Sequence, residues 1–152
     1  MMKNQQKIII LMADDDEDDR LLAQDALLES GENAELRFVG DGTELLDYLR
    51  GVGAYAAPPQ APRPDLILLD LNMPHLDGRE ALRQIKADRR TRRTPVVILT
   101  TSCAEEDIWH AYDEGANSYV TKPVSFEGLV DVMKNLRRYW ADTVQLPADG
   151  LP

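Results

Sequence analysis

Ile8-Ile9-Ile10-Leu11-Met12-Ala13 runs straight into Asp14-Asp15-Asp16-Glu17-Asp18-Asp19, and Leu66-Ile67-Leu68-Leu69 stops as abruptly at Asp70. Both apolar runs are short, continuous and partly β-branched, which is the pattern of a strand buried on both faces of a parallel sheet. In open parallel α/β sheets ligands bind just beyond the carboxyl ends of the strands. Acids at the ends of two neighbouring strands therefore share one pocket. Carboxylates that close repel, and one stays protonated unless a cation joins them. A hard divalent ion with oxygen ligands, Mg²⁺ above all, is the natural occupant.

Outward from these runs, strand and helix patterns alternate. Residues 8–13 read as the first strand and 18–30 as the first helix, with Leu21, Leu22, Leu27 and Leu28 on its period and Gly31 as its stop. Residues 36–39 read as a short strand. Asp41-Gly42 reads as a turn, with Thr43 capping a helix through Leu49. The stretch GVGAYAAPPQAPRP, residues 51–64, holds four prolines and two glycines and reads as a stiff surface insertion rather than an SH3-type ligand. Residues 66–71 form the third strand. A helix over 78–87 follows, with Ala81, Leu82 and Ile85 inward. Residues 96–99 give the fourth strand, 105–114 a helix ended by Gly115, 118–121 the fifth strand and 126–140 the last helix. Five strands alternating with five helices predict a single α/β (βα)5 doubly wound domain, a five-stranded parallel sheet with helices on both faces.

Composition narrows the function. The 152 residues suit one domain, and 43% hydrophobic content suits a soluble one. A formal charge of −10 argues against sequence-independent nucleic-acid binding and against docking on an anionic membrane. Cys103 is the single cysteine, so no internal disulfide forms and a reduced cytoplasmic setting fits. The six-residue apolar run after Lys7 is too short for a signal peptide or a membrane span.

Four positions line up at strand ends: Asp14/Asp15, Asp70, Thr100 and Lys122. Asp70 offers a carboxylate that can attack phosphorus. A divalent ion held by Asp15 and Asp70 neutralises phosphoryl oxygens. The Lys122 ammonium pairs with another of them, and the Thr100 hydroxyl hydrogen-bonds the group once it arrives. Phosphoryl transfer needs mostly positioning and charge neutralisation, which this set supplies. The product is an aspartyl phosphate.

With "MADDDEDDR", "LILLDLNMPHLDG", "PVVILTTS" and "GANSYVTKP" in order, the chain resembles a receiver domain of the two-component response-regulator family, with the CheY-like fold. Thr100 lies 100 − 70 = 30 residues after Asp70, and Lys122 lies 122 − 70 = 52 after it, both as in the family. The resemblance implies Asp70 as phosphoacceptor, Asp15 as direct metal ligand, Asp14 as its partner through water, and the Asn72 backbone carbonyl as third ligand. It implies Thr100 as switch hydroxyl, Tyr119 as switch aromatic and Lys122 as the family lysine, aimed by a cis Lys122–Pro123 peptide. The row of aspartates admits either Asp14/Asp15 or Asp15/Asp16 as the acidic pair; Arg20, Leu22 and Leu27 on the first helix favour the former. Asn72 and Ser102 fall where the family tunes phosphate lifetime. His75, His110 and Cys103 read as surface residues, and Gly78 as a close backbone approach.

The receiver is expected over residues 7–140, with an extension at 1–6 and a tail at 141–152. Only 30 residues follow Lys122, so a stand-alone receiver is expected, with a surface change at the fourth helix, fifth strand and fifth helix as its output. On the last helix Phe126, Leu129, Val130, Met133, Leu136 and Trp140 make a core-facing stripe. Val132 and Tyr139 lie off it, and Val144 and Leu146 follow. These residues and Trp140 suggest a homodimer through the last helix and tail, against a tail that folds back in cis. The proline loop and "YWADTVQLP" also resemble single-domain regulators paired with bacterial and cyanobacterial phytochrome histidine kinases. A haloacid-dehalogenase-type phosphatase is disfavoured because Asn72 stands where that class has its second acid. An FMN binder is disfavoured by the acidic loop after the first strand. A degenerate receiver serving only as an interaction module would lack a site residue, and none is missing.

Overall fold

A computed structural model describes residues 7–59 and 61–147. The expected extension at 1–6 and the end of the tail, 148–152, lie outside them. The order is β1 (Ile8–Ala13), α1 (Glu17–Ser30), β2 (Ala34–Val39), α2 (Gly42–Arg50), a 3-10 turn (Gly53–Tyr55), β3 (Leu66–Leu69), α3 (Gly78–Ala87), β4 (Val96–Thr100), α4 (Glu105–Asp113), β5 (Ser118–Thr121) and α5 (Phe126–Arg138). A π-helical turn, Tyr139–Thr143, closes the described chain's helical part. All strand pairs are parallel, in the order β2-β1-β3-β4-β5.

Each central strand divides its side chains between two cores because successive residues point to opposite faces. Leu11, Ala13, Ile67, Leu69, Val96 and Ile98 pack under α2 and α3 with Leu45, Leu82 and Ile85. Ile8, Ile10, Met12, Leu66, Leu68, Val97 and Leu99 pack under α1 and α5 with Ala23, Ala26, Leu27, Met133 and Leu136. Both faces are covered, which is why these strands read as unbroken apolar runs.

Several expectations are corrected. On α1 the buried side is Ala23, Ala26 and Leu27, while Leu21, Leu22 and Leu28 are exposed. Small residues let α1 lie close against α5, and the leucines take the outer side. Asp41, not Thr43, caps α2, accepting from the Glu44 N–H at 2.8 Å. β3 ends at Leu69 rather than residue 71, and α5 ends at Arg138 before the π turn. Phe126 is exposed rather than inward, whereas Val132 packs on the α1–α5 core it was expected to miss. The cis peptide among the described residues is Pro58–Pro59, not Lys122–Pro123.

The proline stretch is anchored rather than free. Tyr55 meets Tyr48 at 4.9 Å between ring centres and donates to Glu44 at 2.8 Å, and Tyr48 donates to the Pro62 carbonyl at 2.8 Å. Arg137 is fully buried and donates to the Asn33 carbonyl at 3.0 Å and to Asp142 at 2.8 Å. It thereby ties the π turn to the loop after α1.

Candidate functional site

Strand register brings the acids together. Ala13 pairs with Leu69, so Asp14 and Asp70 each stand one residue beyond that pair. The Asp70 N–H donates to the Ala13 carbonyl at 3.0 Å, and the Asp14 N–H to the Val39 carbonyl at 3.1 Å. On the other side Thr100 pairs with Thr121, and the Lys122 N–H donates to the Thr100 carbonyl at 2.7 Å. Gly78 sits against this floor. Its N–H donates to the Leu71 carbonyl at 2.9 Å, and any Cβ there would collide with the Asp70 carbonyl.

Lys122 Nζ stands 2.7 Å from Asp14, 2.7 Å from Asp19 and 3.2 Å from Asp70. Asp70 Oδ1 accepts from the Thr100 hydroxyl at 2.8 Å and from the Asn72 N–H at 3.2 Å. Oxygens of Asp14, Asp15 and Asp70 lie within 4.8 Å of one another, a spacing that one metal ion can bridge. Asp14 and Asp70 are buried, while Asp15 faces solvent. Asp16 is committed elsewhere: its carboxylate caps α1 by accepting from the Asp18 and Asp19 N–H groups. Of the aspartates in the run, Asp14 and Asp15 belong to this cluster with Asp70, and Asp16 does not.

The charges do not balance. Burial works against the Lys122 ammonium, yet its hydrogen bonds to Asp14 and Asp19 and the nearby Asp14 and Asp70 charges hold its pKa well above the ordinary lysine value. Asp14 gains less than it loses. Burial pushes its carboxyl up from 3.8, and the bonds from Lys122 and the Asp16 N–H only partly reverse that. Lys122 has three carboxylate neighbours, whereas the buried Asp14 shares that one ammonium with Asp19 and Asp70. A divalent cation would supply the missing charge.

This leads to a stability prediction for metal-free protein. Asp14 has its folded pKa raised, so the folded state binds its proton more tightly than the unfolded chain. Its contribution to stability therefore falls as pH rises from about 3.8 through the folded pKa. Asp14→Asn should stabilise the chelator-treated protein by roughly 0.5–2 kcal/mol at neutral pH, with the gain fading towards pH ~4. Urea unfolding across pH checks this; a variant less stable than wild type at neutral pH would contradict it.

The family model described as the response regulator receiver domain matches residues 10–134. The chain is a response regulator receiver domain. It is 40% identical over 127 residues to the response regulator Rcp1 of Synechocystis sp., a match spanning 84% of each chain. It is also similar to the crystal structure of the phosphorylated cyanobacterial phytochrome response regulator RcpA, with TM-score 0.85 and 43% identity, covering 94% of this chain and 100% of that one. The Mn²⁺-bound form of Rcp1 matches with TM-score 0.82 and 39% identity over 93% and 99%. The divalent-metal reading of the acidic cluster thus has a counterpart in a metal-bound relative.

In this receiver Tyr119 packs beside the α2–α3 core and donates to the Ser102 carbonyl at 2.9 Å. The Ser102 hydroxyl donates to Asp107 at 2.6 Å, and Arg79 donates to the same carboxylate at 3.0 Å. Asp19, Asp107 and Arg79 were not singled out in the sequence. Asp19 was visible as one more acid of the run beside the site, but nothing in the sequence showed its pairing with Lys122, and the link between α3 and α4 had no signal either. His75 is exposed as expected, but its Nδ1 lies 2.7 Å from Asp41, in a left-handed backbone with φ 62°. His110 and Cys103 are exposed. Of the expected interface residues, Tyr139 is exposed, whereas Val132 and Trp140 pack on their own core and Val144 and Leu146 are half-buried. No helix among the described residues is long and apolar enough to cross a membrane.

Proposed function

We propose that the protein is a stand-alone two-component response regulator that accepts a phosphoryl group on Asp70 from the phosphohistidine of a sensor kinase, of the phytochrome class. The observation that carries this reading is the meeting of Asp14, Asp15, Asp70, Thr100 and Lys122 at the carboxyl ends of four strands. An Asp70 oxygen attacks phosphorus as the N–P bond breaks, and the electron pair returns to the histidine nitrogen, which takes up a proton. Lys122 leaves its bond with Asp70 to pair with a phosphoryl oxygen, and the Thr100 hydroxyl transfers its bond to another. Asp14, Asp15 and Asp70, with the Asn72 carbonyl, would hold Mg²⁺, which supplies the charge that offsets the phosphoryl oxygens. Later hydrolysis returns the carboxylate, so the transfer is directed only at the protein itself.

Thr100 and Tyr119 connect the site to a surface of α4, β5 and α5, where Trp109, Tyr112 and Phe126 are exposed. This surface is the output, read by a protein partner. Homodimerisation through α5 and the segment after it, with Tyr139 as its exposed apolar residue, and a cytoplasmic location complete the reading. The names of the relatives support the phytochrome link.

Intact-mass spectrometry after acetyl phosphate treatment tests the chemistry. One phosphoryl group should be gained in Mg²⁺, none with chelator, and none in Asp70→Asn. No gain by folded wild type would replace the phosphoacceptor with an interaction module.

A further inference from the structure

The end of the sheet opposite Asp70 carries charge that the phosphorylation site does not use. Four arginines, Arg89, Arg90, Arg92 and Arg93, stand within five residues in the loop between α3 and β4, in a chain of net charge −10. All four are exposed. Of these four, Arg90 alone has an acid among the described residues: it shares Asp88 with Arg50, at 3.1 and 3.8 Å. No ion pair reaches Arg89, Arg92 or Arg93 among the described residues.

The loop that displays them is firmly built. Thr91 and Thr94 are buried, and the Thr91 hydroxyl donates to the Ile85 carbonyl at 2.8 Å. Lys86 Nζ donates to the carbonyls of Arg92 and Thr94 at 3.1 and 3.0 Å. Arg63, from the proline stretch, donates to the Arg90 carbonyl at 2.9 Å. Between these two loops lies a recess of about 170 Å³ lined by Arg50, Arg63, Tyr48, Thr91 and Thr94 among others. That is below the ~300–1,000 Å³ of pockets that enclose a small-molecule ligand, and suits a single side chain.

Like charges held this close in a rigid loop repel in the free protein, and an anionic occupant relieves them. A short anionic segment is favoured over a long one, because the strongly acidic remainder of the chain repels an extended polyanion or an anionic bilayer. We propose that this basic end is a docking surface for an acidic segment of a partner protein, with one Asp or Glu side chain in the recess between Arg50 and Arg63 and its neighbours on Arg89, Arg92 and Arg93. Because the surface lies away from the carboxyl ends of the strands, an occupant leaves Asp70 open. A partner is held there while phosphoryl transfer proceeds or not, so the proposal does not depend on that chemistry.

The test is fluorescence anisotropy with a labelled peptide of alternating glutamate and glycine, its glutamine counterpart, single-stranded DNA and phosphatidylserine vesicles as probes. The glutamate peptide should bind at low salt, weaken towards physiological salt and outcompete the other probes. The triple variant Arg89→Gln, Arg92→Gln, Arg93→Gln should bind it about tenfold more weakly, and the matching lysine variant should retain binding. Circular dichroism establishes that both fold. Binding unchanged in the glutamine variant, no binding to wild type, or tighter binding of DNA or vesicles would each overturn the proposal.

Discussion

Saturating the metal-free protein with Mg²⁺ is expected to raise its thermal midpoint by about 5–10 °C, while an Asp15→Ala variant barely moves. A ligand at a hundred times its dissociation constant stabilises the folded state by about 2.7 kcal/mol. For a chain of this size each kcal/mol shifts the midpoint by about 2–4 °C. The folded protein offers Asp14, Asp15 and Asp70 within 4.8 Å, with Lys122 as the neutralising cation nearest Asp14 and Asp70. The unfolded chain offers no such cluster. Asp15 is the informative position because it is exposed, so its loss changes the metal site without opening the core. Calorimetry at matched ionic strength separates site binding from screening. An equal shift in wild type and Asp15→Ala would mean that the ion acts elsewhere.

The parts of this site that were legible in the sequence are those fixed by strand order and register. A buried strand must be apolar throughout, so the first residue that is not, Asp14 or Asp70, marks the strand's end and therefore the ligand-binding edge. Thr100 follows from the same argument on β4, whereas Lys122, one residue past the half-exposed β5, is placed by its spacing of 52 residues from Asp70. Long-range side-chain partners were not legible. Asp19 bonds Lys122 across 103 residues, and Asp107 joins Arg79 to Ser102, because helix packing rather than local pattern brings them together. Leucine periodicity misled on α1, where Ala23 and Ala26 take the inner face and close approach to α5 matters more than side-chain bulk. Similarly, Thr43 and Asp41 both have capping side chains, and only the backbone shows that Asp41 holds the extended cap conformation.

Lys122→Met should cost the metal-free protein about 3–5 kcal/mol at neutral pH, the usual penalty when one member of a buried charge pair is removed. The cost arises from what remains. Asp14 is fully buried, and the Lys122 bond and charge are among the interactions that lower its pKa against the rise caused by burial. Without them the folded Asp14 carboxyl climbs further above its unfolded value of 3.8. A carboxyl with a raised folded pKa loses stability as pH rises through that pKa, so the variant should be weaker at neutral pH and recover as pH falls towards the unfolded value of 3.8 and Asp14 takes up its proton. Urea unfolding at the two ends of that range measures the difference. Mg²⁺ should restore part of the loss, since it replaces the missing positive charge. A penalty that is equal at both pH values and insensitive to Mg²⁺ would assign Lys122 a packing role instead. With 3–5 kcal/mol set against a total stability of about 5–15 kcal/mol, Lys122 is then a large part of what keeps the metal-free acidic cluster folded.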